Sequence, residues 1–178
     1  MKNPKGIVAP TLIIGLGNPG PRYVHTLHNV GAEAIAYLER HAEKSPVAST
    51  PLFHYHKTTR GILVTSTLFM NESGRAVKSA LREFRKKPGQ LLVIHDESDL
   101  PIGSSRLSFG RGAAGHRGVQ SIIDALGTKA FFRFRIGIRR GTGKAEEFVL
   151  TKMRPEEKST FHLVFEELSR KVNEKENP

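Results

Sequence analysis

The apolar positions of the chain change their period several times, and each change predicts an element. Thr11 to Leu16 is a short apolar run ending at glycine, the pattern of a buried strand. A turn-rich stretch with Pro19, Gly20 and Pro21 follows. Val30, Ile35, Leu38 and Ala42 then recur at helical spacing, which predicts a helix over 30–43. Ser45 to Pro51 reads as a loop. Phe53–Thr58 and Ile62–Ser66 read as strands, with Arg60-Gly61 as their hairpin turn. Ala76, Val77, Ala80, Leu81 and Phe84 share one face, so residues 73–86 read as a second helix that Pro88-Gly89 stops.

The second half continues the alternation. Leu91–Ile94 is a buried strand and Arg106–Phe109 a weaker one. A glycine-rich loop, Gly110–Gly118, leads into a helix with Val119, Ile122, Ile123 and Leu126 inward and Gly127 as its C-terminal stop. Phe132–Ile138 alternates apolar residues with arginine and glycine, as a strand does. The last helix starts at Pro155, with Glu156 and Glu157 in the turn where anions suit the dipole, and turns Phe161, Val164, Phe165 and Leu168 inward. The expected architecture is α/β: one domain over 1–178, a twisted mixed β-sheet with helices on both faces, and flexible tails at 1–10 and 171–178. No repeat, low-complexity tract or linker divides it.

Composition narrows the partners. The net charge is +11, which favours a polyanion, with nucleic acid ahead of an anionic membrane. The charge is concentrated. Residues 105–145 carry Arg106, Arg111, Arg117, Lys129, Arg133, Arg135, Arg139, Arg140 and Lys144 against a single acid, Asp124, so this segment holds +8 (9 − 1) of the total. With no cysteine, disulfides and cysteine–zinc sites are excluded. No apolar run is long enough to cross a bilayer, and the N-terminus lacks a signal-peptide core. A reducing compartment is permitted; the expectation is a monomer in the cytoplasm without membrane attachment, with a mitochondrial source open if a targeting segment has been removed.

Four constellations could carry chemistry. Gly15-Leu16-Gly17-Asn18-Pro19-Gly20 formally matches a dinucleotide fingerprint. That function needs a helix to begin within the motif, and Pro19 and Pro21 oppose one, so a tight loop presenting Asn18 at a strand end fits better. His28-Asn29 lies at the start of the first helix, either as an incidental cap or as a working histidine. What favours work is the acidic run His95-Asp96-Glu97-Ser98-Asp99 after the Leu91–Ile94 strand, on the side of an α/β sheet where ligands bind. A carboxylate touching imidazole fixes its tautomer and stabilises the cation it forms as a base. A histidine–aspartate metal site is the competitor, but no helical histidine pair stands at ligand spacing. Phe69-Met70-Asn71 follows a strand and is, by itself, ordinary core and turn. The loop Gly112-Ala113-Ala114-Gly115-His116-Arg117-Gly118 precedes a helix whose free amides suit an anion, for gating or phosphate contact.

Together these segments resemble bacterial-type peptidyl-tRNA hydrolases. The matching pieces are LIIGLGNPGPRYVHTLHNVG, FMNESG, HDESDLPIG, GHRGVQSII and FRFRIGI, in the family's order over about residues 12–138. The resemblance implies one α/β domain, no cofactor and no metal. It also implies hydrolysis of the ester between a peptide's C-terminal carbonyl and the 3′ ribose of tRNA. It implies His28 as the general base, Asp96 as the group orienting it, and Asn18 and Asn71 on the substrate's peptide and ester end. Tyr23 and Met70 shape that pocket, His116 and Arg117 bound it, and Arg135, with Arg106 and Arg111 nearby, meets tRNA phosphate. The sequence departs from the family pattern at Arg117, where asparagine is usual, and at Ser108, where a basic residue is expected. Peptidyl-tRNA is thus the expected partner. The alternatives are a non-catalytic RNA-binding relative, which only Arg117 favours, and a nucleotide-dependent oxidoreductase.

Overall fold

The computed structural model describes residues 10–173. Parallel pairing at its centre is set by β1 (Leu12–Gly15), which lies between β4 (Gly61–Ser66) and β5 (Leu91–Pro101). On one side β3 (Phe53–Thr58) pairs antiparallel with β4, and the two-residue β2 (Ala48–Ser49) adds to β3. On the other side β7 (Phe132–Arg139) runs parallel to β5, and β6 (Ser105–Phe109) closes the edge antiparallel to β7. The order is β2-β3-β4-β1-β5-β7-β6, a mixed seven-stranded sheet.

Side-chain alternation along the strands divides the interior in two. Ile13, Leu92, Ile94, Phe134, Ile136 and Ile138 pack against α1 (Val30–His41) and α5 (Pro155–Asn173). Leu12, Ile14, Leu91 and Val93 pack on the opposite face against α2 (Ser73–Glu83) and α3 (Arg117–Leu126). The same parity puts Arg133, Arg135 and Arg139 of β7 on the α3 side, with the cross-strand partners Ser108 and Arg106.

Most expected elements are present, and the differences have physical reasons. The acidic run is strand, not loop. β1 stops supporting β5 at Ile94, but β7 continues the ladder through His95, Asp96 and Glu97, and an irregularity then separates Glu97 from Pro101. The 45–51 loop contains β2, too short to show a period. The hairpin turn is Thr59-Arg60, because Gly61 already pairs with Thr58. α2 ends at Glu83, before the proline, and Arg85 adopts a left-handed φ of 52°. A four-residue helix, α4 (Ala145–Phe148), was not foreseen. Of the expected tails, 171–173 continue α5, while 1–9 and 174–178 lie outside the described residues. No helix among the described residues is long and apolar enough to cross a membrane.

Candidate active site

The candidate residues gather where β1 ends and β5 runs on. Gly15 closes β1 because α1 crosses it there: a Cβ on Gly15 would lie 2.0 Å from the Gly31 carbonyl oxygen, and one on Gly31 would lie 2.3 Å from the Ile94 carbonyl oxygen. The glycines therefore serve close helix–strand packing. No helix begins within residues 15–20, so the pyrophosphate-binding geometry is missing and the oxidoreductase reading falls.

That crossing brings the 3-10 turn Leu27–Asn29 over the end of β5. His28 Nδ1 lies 3.0 and 2.9 Å from the two carboxylate oxygens of Asp96. An ionised carboxylate only accepts, so Nδ1 carries the proton and Nε2 keeps its lone pair. Burial lowers the His28 pKa and the nearby Arg117 opposes the cation, but the charge and hydrogen bond of Asp96 outweigh both and hold it above the ordinary imidazole value. The imidazole is 15% exposed, enough for water to reach it.

Asp96 serves two imidazoles. His116 Nε2 lies 2.9 Å from Asp96 Oδ1, while His116 Nδ1 accepts from the amides of Gly118 and Val119 and so caps α3. Nδ1 thus faces the amides, and Nε2 presents its N–H to Asp96. Both ring nitrogens are committed within the protein, a different use from the substrate contact expected. Burial pushes the Asp96 carboxyl up, but the charges and hydrogen bonds of His116 and His28 hold it well below the usual carboxylate range. His95 lies behind this pair, its ring 4.7 Å from that of His116 and its Nδ1 donating to the Asp96 carbonyl at 2.6 Å. Burial first, and His116 second, drive its pKa well below the usual value, so it stays neutral.

Asn18 is held from three directions. Its backbone N–H donates to Asn29 Oδ1 and its carbonyl accepts from Asn29 Nδ2, each at 2.9 Å. Its side-chain Oδ1 accepts from the Met70 amide at 2.8 Å. The side-chain NH₂ is therefore what Asn18 has left to offer. Asn29, for which a helix cap was one of the two readings from sequence, makes no side-chain cap hydrogen bond and instead locks this loop. Met70 is buried, and a Cβ on Gly118 would lie 2.4 Å from its sulfur, so the first turn of α3 rests on it. Asn71 is exposed beside it. Tyr23 meets Phe69 edge to face at 6.1 Å, and Phe69, read from sequence as ordinary core and turn, is 48% exposed.

The three carboxylates of the acidic run have separate partners. Asp96 takes the imidazoles, Glu97 pairs with Arg135 Nε at 3.0 Å, and Asp99 pairs with Arg139 at 3.2 Å. The basic segment is divided in the same way. Arg133 is buried, and Arg135, Arg139 and Arg140 have acidic partners, whereas Arg106, Arg111, Arg117, Lys129 and Lys144 are exposed. Among the described residues, His28, Asp96 and His116 bring ligand-type atoms within 4.8 Å of one another. A carboxylate with two imidazoles can suit a transition ion, but here the shared edges hold N–H protons that a cation would have to displace.

A family model described as peptidyl-tRNA hydrolase matches residues 12–176. The chain belongs to the peptidyl-tRNA hydrolase family. It is 39% identical over 165 residues to the peptidyl-tRNA hydrolase of Aquifex aeolicus, covering 89% of this chain and 86% of that one. It is 45% identical over 129 residues to that of Coxiella burnetii, covering 71% and 68%. The crystal structure of peptidyl-tRNA hydrolase from Acinetobacter baumannii superposes with a TM-score of 0.84 at 30% identity, covering 92% of this chain and 86% of that one. The family's α/β architecture is therefore the one found here.

Proposed function

We infer that the protein hydrolyses the ester between a peptide and the 3′ ribose of tRNA, releasing tRNA from stranded peptidyl-tRNA. The observation that carries the reading is the His28–Asp96 pair, in a chain of this family, with Nε2 of His28 left as the open base. A water held at Nε2 adds its oxygen to the ester carbonyl carbon and gives its proton to His28. Asp96 keeps the imidazole in register and stabilises the imidazolium. The side-chain NH₂ of Asn18, and that of Asn71 at the rim, supply donors for the oxyanion. Collapse of the adduct breaks the bond to the ribose 3′ oxygen, which takes the proton back from His28. Because the His28 imidazolium protonates the ribose oxygen as it leaves, no free alkoxide has to form and the step calls on no cofactor.

The remaining roles follow from position. Tyr23 and Met70, with Phe69, wall the side that would take the peptide. His116 acts through Asp96, as a positioning residue. Arg117 brings a cation to the mouth where the family usually has a neutral amide. Arg106 and Arg111, exposed, and Arg135, still paired with Glu97, offer guanidinium groups to tRNA phosphates. The protein works as a monomer in the cytoplasm on this reading.

The test is peptide release from N-blocked aminoacyl-tRNA in ¹⁸O-water. Release with the label in the peptide carboxylate is expected. Tight tRNA binding without release would replace the hydrolase with the RNA-binding relative.

A further inference from the structure

Arg140 belongs to the basic segment 105–145 counted from sequence, but its side chain is turned inward. Its Nε and Nη2 donate to the two oxygens of Glu157, each at 2.7 Å. Nη1 donates to Thr151 Oγ1 at 2.6 Å, and Nη2 also donates to the Lys152 carbonyl at 2.7 Å. This commits four N–H groups of a planar fork that has five. Glu157, in the first turn of α5 and 6% exposed, also accepts from the Arg154 amide at 2.7 Å. Burial pushes the Glu157 carboxyl up, but the hydrogen bonds of Arg140 and Arg154 outweigh it and keep the pair charged.

What this fork grips is the strap that carries the catalytic histidine. The His28 backbone N–H donates to the Val149 carbonyl at 2.8 Å, and the Leu27 N–H donates to the Thr151 carbonyl at 3.0 Å. The Met153 N–H donates to the His25 carbonyl at 2.8 Å, and Thr26 bridges Lys152 antiparallel. His25 has a left-handed φ of 59°, a conformation a non-glycine residue keeps only when its surroundings impose it. The His28 turn is therefore fixed on one side by Asp96 and on the other by residues 149–153. Those residues belong to a connection between β7 and α5 that contains only the four-residue α4; the Arg140–Glu157 pair ties it to both elements, and Lys152 Nζ ties it to the Arg22 and Val24 carbonyls.

We propose that Arg140 and Glu157 are positioning residues for the general base, tying β7, the 149–153 strap and α5 together so that His28 stays aligned on Asp96. The proposal rests on the hydrolase reading and concerns turnover, not RNA affinity. A residue remote from the chemistry can matter this much because small displacements of a base are costly, about 10²-fold for 1 Å.

The test compares Arg140→Lys, Glu157→Gln and Thr151→Val with wild type in steady-state hydrolysis, tRNA affinity and the pH profile of kcat/KM, well below each melting temperature. Arg140→Lys keeps the charge but cannot reach all three partners. It should lower kcat by about 10- to 100-fold with KM and tRNA affinity unchanged. Glu157→Gln should do the same, and Thr151→Val, which deletes the Arg140 contact and the hydroxyl's own bond to the Phe148 carbonyl, should cost several-fold even if the other two fold poorly. The inflection of the pH profile should move to lower pH in each, since a loosened His28 loses part of the support of Asp96. Unchanged kcat would overturn the proposal. So would weaker tRNA binding without a kcat loss, or a loss that tracks only the unfolded fraction with the pH profile unmoved. An inactive wild type would instead remove the hydrolase reading beneath it.

Discussion

Replacing Asp96 by asparagine probes the base more finely than removing it. The carboxylate lies 2.9–3.0 Å from His28 Nδ1 and is almost wholly buried. When His28 accepts a proton in the transition state, it becomes a cation beside a full negative charge. At a charge separation of about 4 Å and an effective dielectric of about 20, that attraction is about 4 kcal/mol. Asp96 divides its field between His28 and His116, so part of this is already spent holding the second ring. About 3–4 kcal/mol corresponds to a fall in kcat of about 10²- to 10³-fold. The asparagine amide can also donate to Nδ1, which would place the His28 proton on Nε2 and block the base. The sign for pH follows from the direction of the shift. Asp96 raises the His28 pKa, so its loss lowers it. The acid limb of kcat/KM should then move to lower pH while the plateau drops. The assay is single-turnover peptide release from about pH 5 to 9, with tRNA affinity measured alongside. A lower plateau with an unmoved inflection would refute the pairing as the source of the His28 shift, and an unchanged plateau would refute its role in catalysis.

Arg117→Asn should move the same limb to higher pH, because the guanidinium lowers the His28 pKa; an inflection that stays put would mean Arg117 acts elsewhere. Affinity for tRNA against salt should follow the five exposed cations Arg106, Arg111, Arg117, Lys129 and Lys144, not all nine, because Arg135 already spends its charge on Glu97 and releases few counterions when it meets a phosphate. That gives a log–log slope of at most about −4. A flat response would mean that the segment is not the RNA face. Gly31→Ala should destabilise the fold by about 1–3 kcal/mol or more, as overpacking does, since its Cβ would lie 2.3 Å from the Ile94 carbonyl oxygen. Urea unfolding reads this as a lower midpoint at constant m-value; an unaltered midpoint would show that α1 does not press on β5 as described.

Periodicity made the long elements legible, because the amphipathic faces of α1, α2, α3 and α5 and the apolar runs of β1 and β5 each bury a side that composition alone can mark. It could not show that β5 outlasts its apolar run. The ladder beyond Ile94 depends on β7, which lies some forty residues later, and His95-Asp96-Glu97 look like loop until that partner is placed. Among the proposed site residues, the spacing suggested His28 and Asp96, the resemblance added Asn18, and the structure puts His28 against Asp96 with Asn18 held by the neighbouring Asn29. Asn29 was not legible, because a side chain that locks a neighbouring loop looks in sequence like any helix cap. His116 was placed at the site, but nothing local shows that both of its nitrogens are taken. The basic segment misled most. Charge counting cannot tell an arginine facing solvent from one clamped to Glu97, Asp99 or Glu157, since the acids lie elsewhere in the chain.

The measurement that bears most directly on the central claim is hydrolysis of a short peptidyl-tRNA by wild type and His28→Ala, with tRNA affinity measured on the same preparations. The account predicts rapid release by wild type, a fall of about 10²-fold or more in the variant, as for a lost general base, and equal affinities. Comparable rates in the two proteins, or a parallel loss of rate and binding, would contradict the assignment of His28 as the base.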